Sequence, residues 1–257
     1  MKLKNKSHLN LNKNIYIIGE VAQSHDGSLG YAHSLIDLIA DSGANAVKFQ
    51  THIANCESTY DESWRINFSY EDKYRYDYWK RMEFTKEEWF GLALHAKKRK
   101  LDFLSSPFSI EAIELLEKLK VKLWKVASGE LYNSMLLEKL WQTRKPILYS
   151  SGFSTYADLK KIAQITKLKK IPYGIFQCTT AYPTPPELWN LSSIKKLKKD
   201  FDCPIGLSDH SGEIYASLAA VTLGAKIIEV HVNFDKQAFG PDSTSSITDN
   251  SPLSASS

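Results

Sequence analysis

His210 and His231 are spaced like a pair that could share one metal ion. His210 closes the run Cys203-Pro-Ile-Gly-Leu-Ser-Asp-His210, and His231 closes Ala225-Lys-Ile-Ile-Glu-Val-His231. Both runs read as short buried strands, with a helix-period stretch, Ile214 to Leu223, between them. That pattern predicts a βαβ unit with an imidazole at the carboxyl end of each parallel strand. Neighbouring parallel strands lie about 4.8 Å apart, so two such rings can reach one ion. Either histidine alone would read as a hydrogen-bonded core residue. The pair reads differently because polar groups recur at strand ends along the whole chain.

Taken in order, those ends form one polar set. The first gives Glu20, followed by Gln23, Ser24 and His25; the second gives Lys48 and Gln50. Next come Ser105 and Ser106, then Lys125 followed by Ser128, Gly129 and Glu130, then Ser150, Ser151 and Gly152. The last three give Thr179, Thr180 and Tyr182, then Ser208, Asp209 and His210, then Glu229 and His231. Two lysines within strands are costly to bury without anionic partners. With serine hydroxyls and glycine-flanked turns beside them, they suit a phosphate or a carboxylate. A lone strand lysine could instead form a Schiff base, which would not need the histidines. Two neutral imidazoles plus water suit Mn, Fe, Co or Zn, and such an ion polarises an aldehyde oxygen or activates water. Glu20 and Glu130 are candidates for acid–base work or for holding sugar hydroxyls. Glu130 reads equally well as a structural hydrogen-bonder. Asp209, next to His210, is placed to orient that ring. The set predicts a metal-assisted enzyme that joins an anionic, phosphorylated small molecule to a carbonyl partner.

Positioning these groups requires a parallel sheet. Strands are predicted at Ile15–Val21, Ala46–Gln50, Leu101–Ser105, Leu123–Ala127, Pro146–Ser150, Tyr173–Cys178, Pro204–Ser208 and Lys226–His231. Helix-period segments alternate with them at Tyr31–Ser42, Lys86–Lys98, Ile110–Leu119, Ser134–Thr143, Thr155–Thr166, Leu191–Lys198 and Ile214–Leu223. Eight β/α units predict an α/β fold of the (β/α)8 TIM-barrel type, whose active site lies at the carboxyl ends of the strands. No Gly-x-Gly-x-x-Gly follows the first strand, which weighs against a dinucleotide site. The connection Thr51–Thr85 is long and aromatic, as lids, interface elements or covers over a barrel edge are. The expected organisation is an N-terminal extension over 1–14, the barrel over 15–242 and a Ser-rich disordered tail over 243–257. No amphipathic pattern after Phe234 predicts an eighth helix.

Composition narrows the class. The chain has 257 residues, 43% of them hydrophobic, and a net charge of +4. Its lysine pairs are scattered over helix surfaces, which does not describe a nucleic-acid groove. Cys56, Cys178 and Cys203 are few and irregularly spaced, so neither a disulfide framework nor a zinc cluster is expected. A reduced, cytoplasmic setting follows. The Lys/Asn-rich start, Met1 to Asn14, has no apolar core of a secretory signal, and no apolar run is long enough to span a membrane.

Specific segments carry a resemblance. They are Gly19–Gly27 (GEVAQSHDG), Ala46–Thr51 (AVKFQT), Ser105–Phe108 (SSPF), Lys125–Glu130 (KVASGE) and Ser150–Gly152 (SSG). They continue with Cys178–Pro185 (CTTAYPTP), Gly206–His210 (GLSDH), Glu229–His231 (EVH) and Gly240–Asp242 (GPD). Each is weak alone, but the ordered set resembles the N-acetylneuraminate (sialic acid) synthase family, phosphoenolpyruvate-dependent enzymes that make nonulosonic acids. The resemblance implies that His210 and His231 hold Mn2+, with Mg2+ or Co2+ as alternatives. It implies that Lys48, Ser106, Lys125, Ser128, Ser150 and Ser208 cradle the phosphate and carboxylate of phosphoenolpyruvate. Glu20, Gln50, Glu130, Tyr182 and Asp242 would contact an N-acetylated amino sugar, either N-acetylmannosamine or a di-acetamido relative, with Glu20 as proton carrier. A homodimer is also implied. Three positions depart from the family pattern: Ser106 replaces a usual Thr, Thr180 an Asn or Ser, and Gln177 a His. Family members continue into an eighth helix and an antifreeze-like domain that supplies an arginine to the partner's sugar site. Here the match stops near Ile247, so the expectation is intact metal and phosphoenolpyruvate sites with weak acceptor binding, or an inactive remnant.

Overall fold

The computed structural model describes residues 15–64 and 66–248. Eight strands alternate with helices: β1 Tyr16–Ala22, β2 Ala46–Thr51, β3 Asp102–Pro107, β4 Trp124–Val126, β5 Ile147–Ser150, β6 Tyr173–Cys178, β7 Ile205–Asp209 and β8 Ile227–His231. All paired strands are parallel, in the order β3-β2-β1-β8-β7-β6-β5-β4. β1 lies between β2 and β8, which joins the two ends of the chain's strand series. β3 and β4 face each other across the remaining seam. The result is a (β/α)8 barrel, as the alternation predicts.

The helices are α1 Leu29–Asp41, α2 Ala54–Glu57, α3 Arg75–Met82, α4 Lys86–Lys98, α5 Ile110–Lys118, α6 Ser134–Gln142, α7 Tyr156–Leu168, α8 Ser192–Asp200 and α9 Tyr215–Thr222. Side-chain caps fix where several of them start. Ser28, Ser109 and Asn133 each accept a backbone N–H of the first turn, and Thr85 and Thr155 form reciprocal capping boxes with Glu88 and Asp158. The main core fills the space between sheet and helices, built from residues such as Leu35, Ile39, Val47, Trp89, Trp124 and Ile228.

A second core plugs the barrel itself and positions the site. Ile18, Ala46, Leu104, Leu123, Leu148, Phe176 and Ile227 form it, nearly one from each strand. Side chains alternate along a strand, so the residue two places on also faces the interior, about 6.6 Å nearer the carboxyl end. Those residues are Glu20, Lys48, Ser106, Lys125, Ser150, Cys178 and Glu229. On β7 the interior place is Gly206, where a Cβ would stand 2.6 Å from the Ile227 carbonyl oxygen and 2.7 Å from the Phe176 ring. Ser208 and then His210 follow at the same period.

The long connection 51–85 carries α2 and α3. One expectation is corrected. The Ser-rich segment does not begin a disordered tail at 243. Ser243–Ser245 form a 3₁₀ turn, Ser243, Ser245, Ser246 and Ile247 are buried, and Ile247 bridges in parallel to Val232. The serines pack because they find partners: Ser243 Oγ accepts from Asn233 Nδ2, and Ser246 Oγ donates to the Asp242 carbonyl. Residues 1–14 and 249–257 of the expected extension and tail lie outside the described residues. Among the described residues no α-helix follows β8, and no helix is long and apolar enough to cross a membrane.

Candidate active site

Four buried charged side chains meet above the apolar plug. Lys48 Nζ lies 2.7 Å from Glu20 Oε2 and 3.9 Å from Glu229 Oε2, and it donates to Ser106 Oγ at 3.3 Å. Lys125 Nζ donates to Glu229 Oε1 at 2.8 Å and stands 4.8 Å from the centre of the Phe176 ring. Ser208 Oγ donates to the same Glu229 oxygen at 3.0 Å. The sequence reading left both lysines waiting for an external anion. The fold supplies each with a carboxylate, and Glu229, which no role was predicted for, is the hub. Its strand position alone could have shown this, because it lies midway in the interior series Ile227, Glu229, His231.

The two carboxylates are not equivalent. Burial raises Glu20 most; the Lys48 ammonium opposes this and the nearby Glu229 charge adds to it, leaving the carboxyl at about 7. Burial acts on Glu229 in the same direction, but Lys125, Lys48 and the Ser208 hydroxyl outweigh it and hold Glu229 below the usual carboxylate range. The short Lys48–Glu20 contact alone would argue for an ionised Glu20; complete burial next to a second carboxylate is the larger effect. Lys48, despite its burial, is raised by Glu20 and Glu229 and keeps its charge.

The histidine pair sits beside this cluster, the ring centres 5.1 Å apart. His210 Nδ1 lies 2.7 Å from the Thr179 carbonyl oxygen, so Nδ1 carries the proton and donates. Nε2 then keeps its lone pair, facing the hydroxyls of Tyr182 at 3.2 Å and Ser208 at 3.4 Å. Tyr182, 43% exposed, stacks on the same ring at 4.2 Å. His231 Nδ1 is buried without a hydrogen-bond partner, 3.8 Å from Asp242 Oδ1. Burial pushes His210 down to about 4, helped by His231; burial and the Lys48 charge push His231 down to about 3. Both rings are therefore neutral, the form that binds metals. An orphaned buried nitrogen and a lone pair fixed by a second-sphere carbonyl fit a divalent ion. No group of three or more His, Cys, Asp or Glu is arranged to hold a metal among the described residues. The two imidazoles are the side chains of this pair that could hold such an ion.

Asp209 does not orient His210, contrary to expectation. It points away and accepts from the Ser211 backbone N–H at 2.9 Å and the Ser217 hydroxyl at 2.7 Å, while the Thr179 carbonyl does the orienting. His25 is a core residue: its Nδ1 accepts from the Gly27 N–H, and burial pushes it down to about 3. On the other flank, Gln50 Nε2 donates to Glu20 Oε1 at 3.3 Å, and Asp242 accepts from the Gln23 N–H at 3.4 Å. Ser150 ends β5, and Ser128 starts the turn after β4, close against Gly152. Neither hydroxyl bonds to the lysines among the described residues. Glu130 is half-buried and accepts from Asn133 Nδ2 at 2.9 Å. A cavity of about 380 Å³ lies on the β5–β6 side, lined by Gly152, Gln177, Thr179, Asn190 and Lys196.

A sequence model of the NeuB family matches residues 35–252. The chain belongs to the NeuB family. It is 36% identical over 241 residues to the N,N'-diacetyllegionaminic acid synthase of Campylobacter jejuni, covering 91% of this chain and 72% of that one. It is 33% identical over 238 residues to human N-acetylneuraminate-9-phosphate synthase, covering 90% of this chain and 66% of the human protein. Among solved structures it is similar to the N-acetylneuraminic acid (sialic acid) synthetase of Leptospira borgpetersenii, crystallised with citrate. The TM-score is 0.84 at 31% identity, over 94% of this chain and 81% of that one. This NeuB-family chain thus spans about two thirds of the human relative's length.

Proposed function

We propose that this NeuB-family chain condenses phosphoenolpyruvate with an N-acetylated amino sugar, N-acetylmannosamine or a di-acetamido relative, giving a nonulosonic acid and phosphate. The observation that carries the reading is the meeting of two lysines, two neutral imidazoles and a proton-holding Glu20 at one end of the barrel. Lys48 and Lys125, with Ser106, Ser208, Ser128 and Ser150 around them, take the phosphate and carboxylate of phosphoenolpyruvate. Gln50, Glu130, Tyr182 and Asp242 bind the acceptor. A divalent ion at His210 and His231, Mn2+ or else Mg2+ or Co2+, would supply Lewis-acid polarisation of the acceptor's aldehyde oxygen.

The bond changes follow from the substrates. C3 of phosphoenolpyruvate bonds to the aldehyde carbon, whose oxygen takes a proton. Water adds at C2, and the C2–O bond to phosphate breaks. In this reading Glu20 gives the first proton and recovers one from the water, roles that suit a carboxyl near 7. The competing Schiff-base reading is disfavoured by Lys125 being held in an ion pair with Glu229 at 2.8 Å, since attack on a carbonyl needs a free amine. The test is phosphate release from phosphoenolpyruvate with N-acetylmannosamine and Mn2+, with and without chelator, the nine-carbon acid being identified by mass. Metal-dependent product supports the reading. Chelator-insensitive turnover with borohydride trapping on Lys125 would replace it with the aldolase.

A further inference from the structure

The cavity of about 380 Å³ beside β6 takes no part in the reaction above. Among the described residues neither buried lysine, neither histidine of the pair and no carboxylate lines it. Its place follows from the alternation along β6. Phe176 and Cys178 face the barrel interior, so Gln177 between them faces outward, toward the helix layer. Leu159 of α7 and Leu197 of α8, both buried, close the floor beside Gln177. Asn190 and Lys196, both exposed, stand at the rim, and Ser193 is half-buried.

The lining offers hydrogen-bonding capacity that the fold does not use. The Gln177 side chain is only 5% exposed, yet its amide has no hydrogen-bond partner among the described residues. Buried amides are normally paired, so its partners must come from whatever occupies the cavity. The Ser193 hydroxyl, the Asn190 amide and the Lys196 ammonium likewise have no hydrogen-bond or ion-pair partner among the described residues. Lys196 Nζ lies 4.2 Å from the centre of the Tyr156 ring, which is a wall of the same cavity, and Lys160 Nζ lies 5.0 Å from that centre. The neighbouring carboxylates are engaged elsewhere. Asp200 accepts from the Tyr156 hydroxyl, and Asp158 accepts from the hydroxyls of Tyr132 and Thr155. A polar cavity with a cation at its rim and no acid in its wall attracts an anion.

We propose that this cavity is a binding site separate from the proposed active site, taking a small polyhydroxylated molecule that carries a phosphate. Lys196 and the Ser193 hydroxyl take phosphate oxygens at the rim. Gln177, which both donates and accepts, takes a hydroxyl at the floor. The volume is at the small end of ligand sites, room for a sugar phosphate and more than a bare ion fills. Binding here needs no turnover, so it holds or fails independently of the proposed reaction. The probe is glucose 6-phosphate, titrated by calorimetry into the intact chain in chelator, with glucose and inorganic phosphate as comparisons. The ester should bind more tightly than either. Lys196→Met should weaken it about tenfold, the size of one lost charged hydrogen bond. Gln177→Leu should weaken the ester while leaving inorganic phosphate unchanged. Lys199→Met, on the same helix but outside the cavity, should leave both unchanged. No binding of the ester at millimolar concentration overturns the proposal. So does ester binding that Lys196→Met leaves intact, which would place it elsewhere on the chain. Equal losses in Lys196→Met and Lys199→Met would mean diffuse attraction to a basic helix and also overturn it. Lys196 is exposed, so its variant decides even if Gln177→Leu does not fold.

Discussion

Glu20 shows how burial ties the protonation of one carboxyl to the stability of the fold. Its unfolded value is near 4.5 and its folded value about 7, raised chiefly by burial. The folded protein therefore holds a proton that the unfolded chain releases. That contribution is complete below pH 4.5 and is lost as pH rises to about 7, at about 1.4 kcal/mol per pH unit. Glu20→Gln keeps the volume and removes the titration. Urea unfolding at pH 5 and at pH 7.5, in chelator, should show the parent losing about 2–3 kcal/mol more than Glu20→Gln over that interval. Equal losses in the two proteins would mean that Lys48 keeps Glu20 ionised throughout. At this scale the sequence revealed the types: both lysines, both histidines and Glu20 were legible as strand-end groups. It did not reveal the pairings. Glu229 meets Lys125 across 104 residues of sequence, and Asp209 turns to Ser217 rather than to its neighbour His210. Such choices depend on which oxygen a rigid backbone aims at which donor.

Strands were legible to within a residue or two because a parallel sheet buried on both faces demands short runs of β-branched and aromatic residues. The period-two rise from plug to polar ring was also written there, Ile18 to Glu20 and Ile227 to Glu229 among the clearest cases. The short helices α2 and α3 were not legible, since α2 has only four residues and α3, rich in charged residues, buries just Tyr78 and Met82, too little for a periodic signal. Gly206 tests how tightly an element carries the site. It gives the barrel interior room for the Phe176 ring, and that ring supports Lys125. Gly206→Ala puts a methyl against the Ile227 carbonyl, which is backbone and cannot turn aside. β7 must move, taking Ser208 and His210 with it. The expected cost is about 1–3 kcal/mol of stability, read from denaturant midpoints. Mn2+ affinity by calorimetry should fall in parallel. An alanine variant with unchanged midpoint and unchanged binding would show that β7 is not registered by this contact.

For the molecule as a whole, barrel type was legible from eight β/α repeats, while the fate of the chain after β8 was not. Serine-rich composition argued for disorder at 243, yet the segment to Ile247 returns to the barrel mouth. Ile247 N donates to the His231 carbonyl at 2.8 Å, and the Asn233 N–H donates back to the Ile247 carbonyl at 3.1 Å. These two bonds fold 232–247 into a loop that places Asp242 beside His231 and brings Phe239 within 6.3 Å of Phe68 in the 51–85 connection. Two long connections thus meet over the site, and the buried Ile247 side chain anchors one of them. Ile247→Ala should cost about 2–5 kcal/mol, the range for emptying a core aliphatic site. Because the anchor lies next to His231, the same change should weaken Mn2+ binding. Tyr70→Ala serves as the control: Tyr70 is 95% exposed and its ring only approaches Phe239, at 5.8 Å, so it should shift stability by less than about 0.5 kcal/mol. If Ile247→Ala behaves like that control in both unfolding and metal titration, residues 243–247 are an ornament on the barrel. If it behaves as a core substitution, this segment is part of the barrel's folded unit, and a fragment ending at Asp242 lacks the backbone anchor beside His231, one of the two proposed metal-binding histidines.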